Sequence, residues 1–355
     1  MPKVFLSVLI DTYNHERFIE EAVLSVLGQD FPASDREILV VDDGSTDRTP
    51  EILAKFLPDI RILRKPNGGQ ASAFNYAIPE CRGEIISMLD GDDWWAKDKL
   101  RSIAPIFESQ PDIGAVGHGY FMVDVDGKLQ STVVPKQTRR LHARTAEDAA
   151  LFARHGGFFG TSKVAYRKKI LDRILPIPER VIIEADEWMF TLVPCLTDVL
   201  ALDLPLFYYR LHGGNMFLLS APADGNLKRL YGSLACLTQN LPPKMRELGI
   251  PVAIDESLLA HLRLQTEQLR IQLEGGSRWE VLRLQRATNR FFVAKSPLFF
   301  RVFKQIALLL ALALPAKQFL RLKSWYGASR LRRMRKWIGE PVHVSDVIER
   351  PFQQQ

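Results

Sequence analysis

The densest group of chemically active residues is an acidic cluster that directly follows an apolar run. The run ends at Leu89, and Asp90, Asp92 and Asp93 come next, with Gly91 inside the group. On an extended chain Asp90 and Asp92 point to the same side, where their carboxylates repel each other unless a cation lies between them. Divalent cations such as Mg²⁺ and Mn²⁺ bind oxygen ligands and share them with substrate phosphates. The cluster therefore predicts a metal–phosphate site, with an acidic turn as the alternative interpretation.

The segments around this cluster alternate between strand-like and helix-like patterns. Continuous apolar runs predict buried strands, and apolar residues at helical spacing predict the helices between them. The strands are expected at 4–10, 37–41, 60–63 and 84–89, and the helices at 18–27, at 49–56 and after Gly69. This order, with short connections, predicts an α/β fold whose mainly parallel sheet is flanked by helices.

Polar residues follow three of the predicted strands. They are the segment from Asp11 to Asn14, the pair Asp42 and Asp43, and the acidic cluster that begins at Asp90. Ligands in parallel sheets bind beyond the carboxyl ends of the strands. We therefore expect the three polar sets to meet in one crevice.

The second half of the chain is mixed and then becomes helical. A hairpin turn is predicted at Asp126-Gly127, and a further strand at 200–209. Between them, 182–192 has the pattern of a short strand or loop that runs into a helix, with three acidic residues at its start. Amphipathic helices are predicted at 258–273 and 279–292.

The composition is that of a globular protein, and the positive charge lies at the C-terminal end. Of the residues, 46% are hydrophobic and 25% are charged. The net charge is +6, but residues 297–355 contain eleven Lys and Arg against three Asp and Glu, a net of +8, which leaves −2 for the rest. A nucleic-acid-binding protein carries its positive charge on the folded domain, so we expect no nucleic-acid partner. Three widely spaced cysteines fit a reducing compartment.

The C-terminal segment combines a short apolar stretch with basic and aromatic residues. The stretch from 306 to 314 is uninterrupted, and Pro315 ends it, whereas a membrane-spanning helix needs about 20 apolar residues. Basic residues and aromatic rings alternate from 317 to 337. This pattern favours an in-plane anchor on an anionic membrane surface. A terminal helix that packs on the protein with a solvated basic face is the alternative.

Taken together, the motifs resemble those of the family 2 glycosyltransferases, which have a GT-A, Rossmann-like fold that binds nucleotide sugars. The motifs lie at 8–14, 40–47, 67–75 and 90–93. The resemblance is strong to about residue 100 and continues more weakly through 185–187 and 208–215. It implies a GT-A catalytic domain over 1–218. The sequence pattern adds a helical extension over 219–296 and the basic, membrane-associating tail over 297–355.

The resemblance also implies roles for individual residues. Asp92 would be the direct ligand of Mn²⁺ or Mg²⁺, and Asp90 would lie nearer the ribose or a metal-bound water. The N–H groups around Gly69 could face phosphate at a helix N-terminus, with a plain turn as the alternative. The residues expected to bind the nucleotide sugar are Thr12, Asn14, Asp42, Asp43, Gly69, Asn75, Asp90 and His212.

Sugar transfer with inversion also needs a base for the acceptor hydroxyl. Asp186 matches the position of the family's catalytic carboxylate best, Glu187 is its rival, and Glu184 is a third candidate. The alternative is that these acids only favour the dipole of the helix that begins there.

The sequence and the resemblance together predict an inverting, metal-dependent glycosyltransferase. Its donor would be a nucleotide diphosphate sugar, with uridine implied by the resemblance alone, and its acceptor a hydroxyl group, for which a lipid-linked glycan would suit a membrane location. The implied setting is cell-surface polysaccharide or glycolipid assembly at the cytoplasmic face of the cell membrane. One alternative is a nucleotidyltransferase, although no Gly-rich loop with a basic residue follows the first strand. The other is an inert nucleotide-sugar-binding protein.

Overall fold

The computed structural model describes most of the chain in two long stretches. The described residues are 5–212, 224–293, 305–306, 308–311, 313–315, 318–320, 322 and 347–351. Asn215 of the weaker motif and most of the basic tail, including 323–346, lie outside them.

The first half forms the parallel part of the sheet, as predicted. The spatial order is β3 (Arg61–Arg64), β2 (Arg36–Asp42), β1 (Leu6–Thr12) and β4 (Ile85–Asp90), and each neighbouring pair is parallel. β1, β2 and β4 are buried nearly throughout, which agrees with their uninterrupted apolar sequences.

Four helices flank these strands. They are α1 (Ile19–Leu27), α2 (Thr49–Ala54), α3 (Gln70–Ala77) and α4 (Lys99–Ser109). Alternate strand residues belong to two different hydrophobic clusters, since successive side chains of a strand point to opposite faces. One cluster packs against α3, and the other packs against α1, α2 and α4.

Beyond β4 the sheet becomes mostly antiparallel. β9 (Val164–Arg167) lies between β4 and β6 (Ile113–Val123) and runs antiparallel to both. β6 forms a hairpin with β7 (Leu129–Pro135), and its turn contains the predicted Asp126-Gly127. The parallel sheet expected from the first half is thus extended by antiparallel strands, which the loosely patterned middle region did not reveal.

The longest strand that the structure describes, β10 (Asp198–Arg210), lies beside β6. It is parallel to β6 and antiparallel to β5 (Trp94–Trp95) and β8 (Arg139–Leu141). β11 (Val347–Pro351) adds to the free edge of β7. Because β5 follows the acidic cluster directly, the pairing of β5 with β10 brings the end of β10 to that cluster.

The remaining helices complete the core and the C-terminal region. They are α5 (Ala146–His155), α6 (Lys168–Ile174), α7 (Asp186–Leu196), α8 (Asp224–Glu247), α9 (Val252–Glu274) and α10 (Arg278–Val293). Leu237 of α8 and Leu259 of α9 are fully buried and belong to the same cluster as Phe74 of α3 and Met88 of β4. The helical region and the sheet therefore share one core.

A small third cluster involves the C-terminal segment. Phe319 and Leu320 are buried against side chains of α9 and α10, whereas Ile306 and Leu309 are 50% and 66% exposed. Within the described part of the chain, no helix combines the length and apolarity that crossing a membrane requires.

Candidate functional site

The polar ends of three strands lie side by side, as the sequence predicts. In the strand register, Thr12 of β1 pairs with Asp42 of β2, and Asp11 pairs with Asp90 of β4. The N–H of Asp43 donates to the carbonyl of Thr12 at 3.0 Å, and the N–H of Gly91 donates to that of Asp11 at 2.9 Å. The parallel sheet therefore brings the three predicted sets to one edge.

Asn14 connects the loops that follow β1 and β2. Its side-chain oxygen accepts a hydrogen bond from the N–H of Thr46 at 2.8 Å, and its own N–H donates to Oγ of Ser45 at 2.9 Å. Its φ of 56° lies in the left-handed region, which Asn adopts more readily than most residues. Asn14 thus shapes the crevice through the backbone of both loops.

The two acids after β2 are buried and held by their neighbours. Oδ1 of Asp42 accepts from the N–H of Ser45 at 2.8 Å, and its other oxygen lies 3.4 Å from Nε of Arg64. Asp43 forms an ion pair with Lys65 at 2.6 Å and accepts from the N–H of Gly69 at 2.7 Å. Both carboxylates organise the loops around the crevice.

Gly69 begins α3 without facing a free anion site. Its φ is 82°, and a Cβ there would lie 2.7 Å from Cα of Ile182, so glycine is required. The N–H groups of Gly68 and Gly69 donate to Asp43, and that of Gln70 donates to the carbonyl of Ile182. These donors are engaged within the protein, which removes the basis for the phosphate contact expected from this helix N-terminus.

Asn75 is also engaged within the protein. Its side-chain amide donates to the carbonyl of Ile177 at 2.7 Å and accepts from the N–H of the same residue at 2.8 Å. Both polar groups of the side chain are satisfied, and this is a structural role. The expectation that Asn75 binds the donor is not supported by its geometry.

Asp90 lies in a group of carboxyl groups that cannot all be ionised without a counter-charge. Burial raises the pKa of Asp90 well above its ordinary value, and the charges of Asp11 and Asp92 raise it further. Burial likewise raises the pKa of Asp11 to about 7. Oδ1 of Asp11 is buried without a hydrogen-bond partner among the described residues. An unpaired buried oxygen beside crowded carboxyl groups fits a cation-binding position.

Asp92 has a different environment because it faces two histidines. Its Oδ2 lies 2.9 Å from Nε2 of His212, a residue that the resemblance assigned to the donor site without a contact to Asp92. Although burial opposes it, the hydrogen bond from His212 and the charge of His15 hold the pKa of Asp92 below its ordinary value. His15 in turn lies 3.2 Å from Oγ1 of Thr12 through its Nδ1 atom. Asp92 is thus the carboxylate of the cluster that stays ionised.

Arg210 binds the acidic loop, by which we mean residues 90–93, through its backbone and its side chain. Its N–H donates to Oδ1 of Asp93 at 3.1 Å, and its Nε donates to the carbonyl of Asp92 at 3.1 Å. The guanidinium also donates to the carbonyl of Val125 and forms an ion pair with Glu21. Only 4% of Arg210 is exposed, so these bonds form in a shielded environment.

A row of planar side chains links Arg210 to the aromatic residues around it. The guanidinium carbon lies 4.3 Å from the ring centroid of Trp94 and 4.8 Å from that of Phe18. Phe18 contacts His212, with 4.8 Å between the ring centroids, and Trp94 stacks on Tyr208 at 4.9 Å. The row therefore fixes the imidazole that contacts Asp92.

One short loop connects the acidic cluster to the predicted base. In the loop 160–163, Oγ of Ser162 accepts from the N–H of Asp90 at 3.0 Å and lies 3.2 Å from its carboxylate. The N–H of Thr161 donates to Oδ2 of Asp186 at 3.3 Å. Ser162 has a φ of 67°, which is strained for a residue with a side chain. The loop thus holds the two acidic centres at a fixed separation.

Asp186 is the candidate base whose carboxylate has a specific partner outside its own helix. Burial raises the pKa of Asp186, while Lys163 and the N–H of Thr161 act in the opposite direction. Burial raises the pKa of Glu184 to about 8 and that of Glu187 to about 8, and neighbouring carboxylates add to both shifts. Glu184 and Glu187 are therefore predominantly protonated at neutral pH, which favours Asp186 as the proton acceptor.

The donor set fits a divalent cation whose coordination is completed by substrate. Within the described residues, no three Asp, Glu, His or Cys side chains already have the arrangement of a metal site. Asp92, Asp90 and His212 offer two carboxylates and an imidazole, which suit Mn²⁺ and, through their oxygens, Mg²⁺. Such sites commonly use one or two carboxylates and take the remaining ligands from phosphates and water.

Sequence reasoning missed several residues that the fold brings to this crevice. Asp11 lies in the first motif and His15 directly follows it, and the polar segment after the first strand could have identified them. Arg210 was visible only as part of a weaker motif. Lys163 gave no signal, because a lysine in a loop of small residues has no distinctive spacing.

The comparisons with known proteins agree with this geometry. The model of the glycosyl transferase family 2 matches residues 7–175. An uncharacterized glycosyltransferase of Nostoc sp. (strain PCC 7120) is 29% identical over 289 residues, which cover 79% of this chain and 87% of that protein.

Solved structures support the fold. The structure of Staphylococcus aureus TarS 1-349 in complex with UDP-GlcNAc matches with a TM-score of 0.54 and 19% identity, covering 91% of each chain. The mannosyltransferase PcManGT of Pyrobaculum calidifontis in complex with GDP-Man and Mn²⁺ matches with a TM-score of 0.51 and 19% identity, covering 94% of this chain and 88% of that one. The motifs, the geometry of the crevice and the family match together identify residues 7–175 as a glycosyl transferase family 2 domain, and the solved structures support its GT-A-like fold.

Proposed function

We propose that this chain transfers a sugar from a nucleotide diphosphate donor to a hydroxyl acceptor with inversion at the anomeric carbon. The observation that carries the proposal is the loop 160–163, which joins the Asp90 group to Asp186. An inverting transfer needs charge stabilisation on the leaving-group side and a base on the opposite side of the sugar. Two acidic centres with different environments support the proposal, the Asp90 group for charge stabilisation and Asp186 for the base.

On the leaving-group side, Asp92, Asp90 and His212 would hold the divalent cation. When bound, Mn²⁺ or Mg²⁺ would neutralise the charge of the departing nucleoside diphosphate. Arg210 and the planar row keep His212 and the backbone of Asp92 in place. The nucleoside would lie over the ends of β1 and β2, where Thr12 and the buried Asp42 and Asp43 form the wall of the crevice.

On the opposite side, Asp186 would accept the proton of the acceptor hydroxyl. Its Oδ2 is oriented by the N–H of Thr161, so the carboxylate is held without being neutralised by a strong ion pair. Glu187 stays the second candidate for this role. Structures with a similar fold contain UDP, UDP-GlcNAc or GDP-Man, which supports a uridine or guanosine donor here.

The test is a panel of UDP-, GDP- and dTDP-sugars, with Mn²⁺ or Mg²⁺ and then with a chelator, for the wild type and Asp92→Asn. We expect one donor to bind and to be hydrolysed slowly with metal, and its affinity to fall about tenfold or more with the chelator and in the variant. Asp126→Asn, in the exposed hairpin turn, is the matched control and should behave as wild type.

Three results would contradict the proposal. Donor binding that is unaffected by the chelator and by Asp92→Asn would remove the metal site. Release of pyrophosphate from a nucleoside triphosphate would favour the nucleotidyltransferase alternative. Tight donor binding with neither hydrolysis nor transfer to any hydroxyl acceptor would favour the inert binding protein.

We also propose that the C-terminal segment holds the protein at an anionic membrane surface, peripheral on the cytoplasmic face. Ile306 and Leu309 are exposed, and they precede the segment that carries most of the net positive charge. Exposed apolar side chains beside basic residues are typical of interfacial anchors. A lipid-linked glycan in surface polysaccharide or glycolipid assembly would be a suitable acceptor at that surface.

Flotation with lipid vesicles tests this membrane proposal. We expect binding to vesicles that contain anionic lipid, weak binding to neutral vesicles, and an about tenfold loss of binding in the double variant Ile306→Glu, Leu309→Glu. Leu204→Glu changes a leucine that is 43% exposed elsewhere and should leave binding unchanged. Equal binding of the double variant and the wild type would contradict the anchor.

A further inference from the structure

Lys163 lies next to Asp186 and is not part of any motif identified in the sequence. A Cβ on Gly160 would be 2.9 Å from Oδ2 of Asp186 and also 2.9 Å from Cε of Lys163, with Nζ at 3.5 Å. Both side chains therefore pass over the same glycine. Any larger residue at Gly160 would separate the lysine from the carboxylate.

The ammonium group of Lys163 has acidic neighbours on two sides. Asp186 and Glu184 face it from α7 and the segment before it, and Asp90 and Asp93 face it from the acidic loop. From β6, Tyr120 presents its ring 5.5 Å from Nζ, and His118 lies near enough for the lysine to lower the pKa of that imidazole.

Two further titratable groups, Lys99 and Glu187, lie near these residues. Lys99 of α4 donates to the carbonyl of Ser162 at 2.7 Å, so its charge is directed to the loop rather than to Asp186. Glu187 adds a third carboxyl group on α7, near Glu184 and Asp186. Burial lowers the pKa of Lys163, whereas the charges of Asp186, Asp93, Asp90 and Glu184 act in the opposite direction and favour its ammonium form.

Asp186 needs such a charge in order to act as a base. Burial favours its protonated form, whereas a base must be ionised when the acceptor arrives. Among the groups that act on Asp186, the ammonium of Lys163 is the cation that favours the carboxylate. The loop that holds Asp186 through the N–H of Thr161 also supplies this cation two residues later.

We propose that Lys163 is a positioning residue for the transfer reaction, whose ammonium group keeps Asp186 available as an anionic base. The proposal rests on the proposed function, because it assigns the lysine a role through Asp186. It requires no contact between Lys163 and the donor.

The sign of the expected pH effect follows from the charge of the base. A carboxylate base is active above its pKa, and activity is lost as the pH falls through that pKa. Removing the neighbouring cation raises the pKa of the base. The acidic limb of the activity profile should therefore move to higher pH in a variant that lacks the ammonium group.

The experiment compares Lys163→Met and Lys163→Arg with the wild type in kcat/KM between pH 5.5 and 9.5, using the donor found by the panel. We expect Lys163→Met to lose about tenfold of kcat/KM at pH 7, with the acidic limb about one pH unit higher and most activity regained at high pH. Lys163→Arg keeps the charge and should retain a limb close to that of the wild type. Lys169→Met, which removes an exposed lysine nearby, should match the wild type.

Several outcomes would overturn the inference. One is an equal loss at every pH, and another is no loss at all. A rise in the donor KM without a pH shift would mean that Lys163 contacts the donor itself. Unchanged nucleotide binding by Lys163→Met shows that the variant is folded, and Lys163→Gln repeats the test if Met is not tolerated. A wild type that transfers no sugar from any donor would refute the proposed function and not the role of Lys163. Asp186→Asn separates these two failures, because it should remove the acidic limb of the pH profile entirely.

Discussion

Replacing Asp186 by asparagine should lower kcat by about 10²–10⁴-fold, because the amide cannot accept the proton of the acceptor hydroxyl. The substitution is nearly isosteric, and its side-chain oxygen can still accept from the N–H of Thr161. Donor binding and donor KM should therefore change little. Steady-state transfer kinetics and calorimetric binding of the donor provide the two measurements.

Glu187→Gln is the matched control for this prediction. The pKa of Glu187 is raised to about 8, so the carboxyl group is mostly protonated at neutral pH and glutamine mimics that form. Its kcat at pH 7 should stay within about tenfold of the wild type. A larger loss in Glu187→Gln than in Asp186→Asn would reverse the assignment and make Glu187 the base.

The largest expected effect on stability comes from Arg210→Met. The methionine would keep apolar contact with Trp94 and Phe18, but the carbonyls of Asp92 and Val125 would lose their partly buried hydrogen bonds. Removing one partner from such a network costs about 3 kcal/mol of unfolding free energy. Urea unfolding followed by tryptophan fluorescence measures it, and donor binding should weaken because the backbone of Asp92 is no longer held.

Glu21→Gln tests the ion pair at the exposed end of the Arg210 network separately from the rest of the network. The Glu21 side chain is 51% exposed, so its ion pair with Arg210 is partly screened and its loss should cost less than about 1 kcal/mol. The prediction for Arg210 would be contradicted if Arg210→Met unfolded within about 1 kcal/mol of the wild type. In that case the planar row would have to stabilise the acidic loop through stacking alone.

The parallel half of the fold was predictable because its signals are local. Uninterrupted apolar runs mark buried strands, and the order of strands and helices then places their carboxyl ends at one edge. This is why Thr12, Asp42 and Asp90 could be placed together before the structure was known. The family resemblance assigned Asp92 and His212 to the same site, whereas their direct contact, across 120 residues of sequence, was seen only in the structure.

The rest of the site depends on contacts that leave no periodic signal. Ser162 and Lys163 reach the crevice because β9 enters the sheet antiparallel between β4 and β6, and its four residues are too few for a reliable pattern. The motif position of Asn75 predicted a ligand contact, but its amide is satisfied by the backbone of Ile177. Spacing identifies residue types, whereas the partner of a polar side chain is decided by tertiary packing.

The shared core has a consequence for how the chain behaves when it is cut. Leu237 of α8 and Leu259 of α9 complete the hydrophobic cluster that covers one face of the sheet, so a fragment ending at 212 would expose that face to water. Two fragments produced by a cut between 212 and 224 should therefore reassociate without a covalent link, by fragment complementation. In folding terms, we expect the crevice and the helical region to unfold as one cooperative unit.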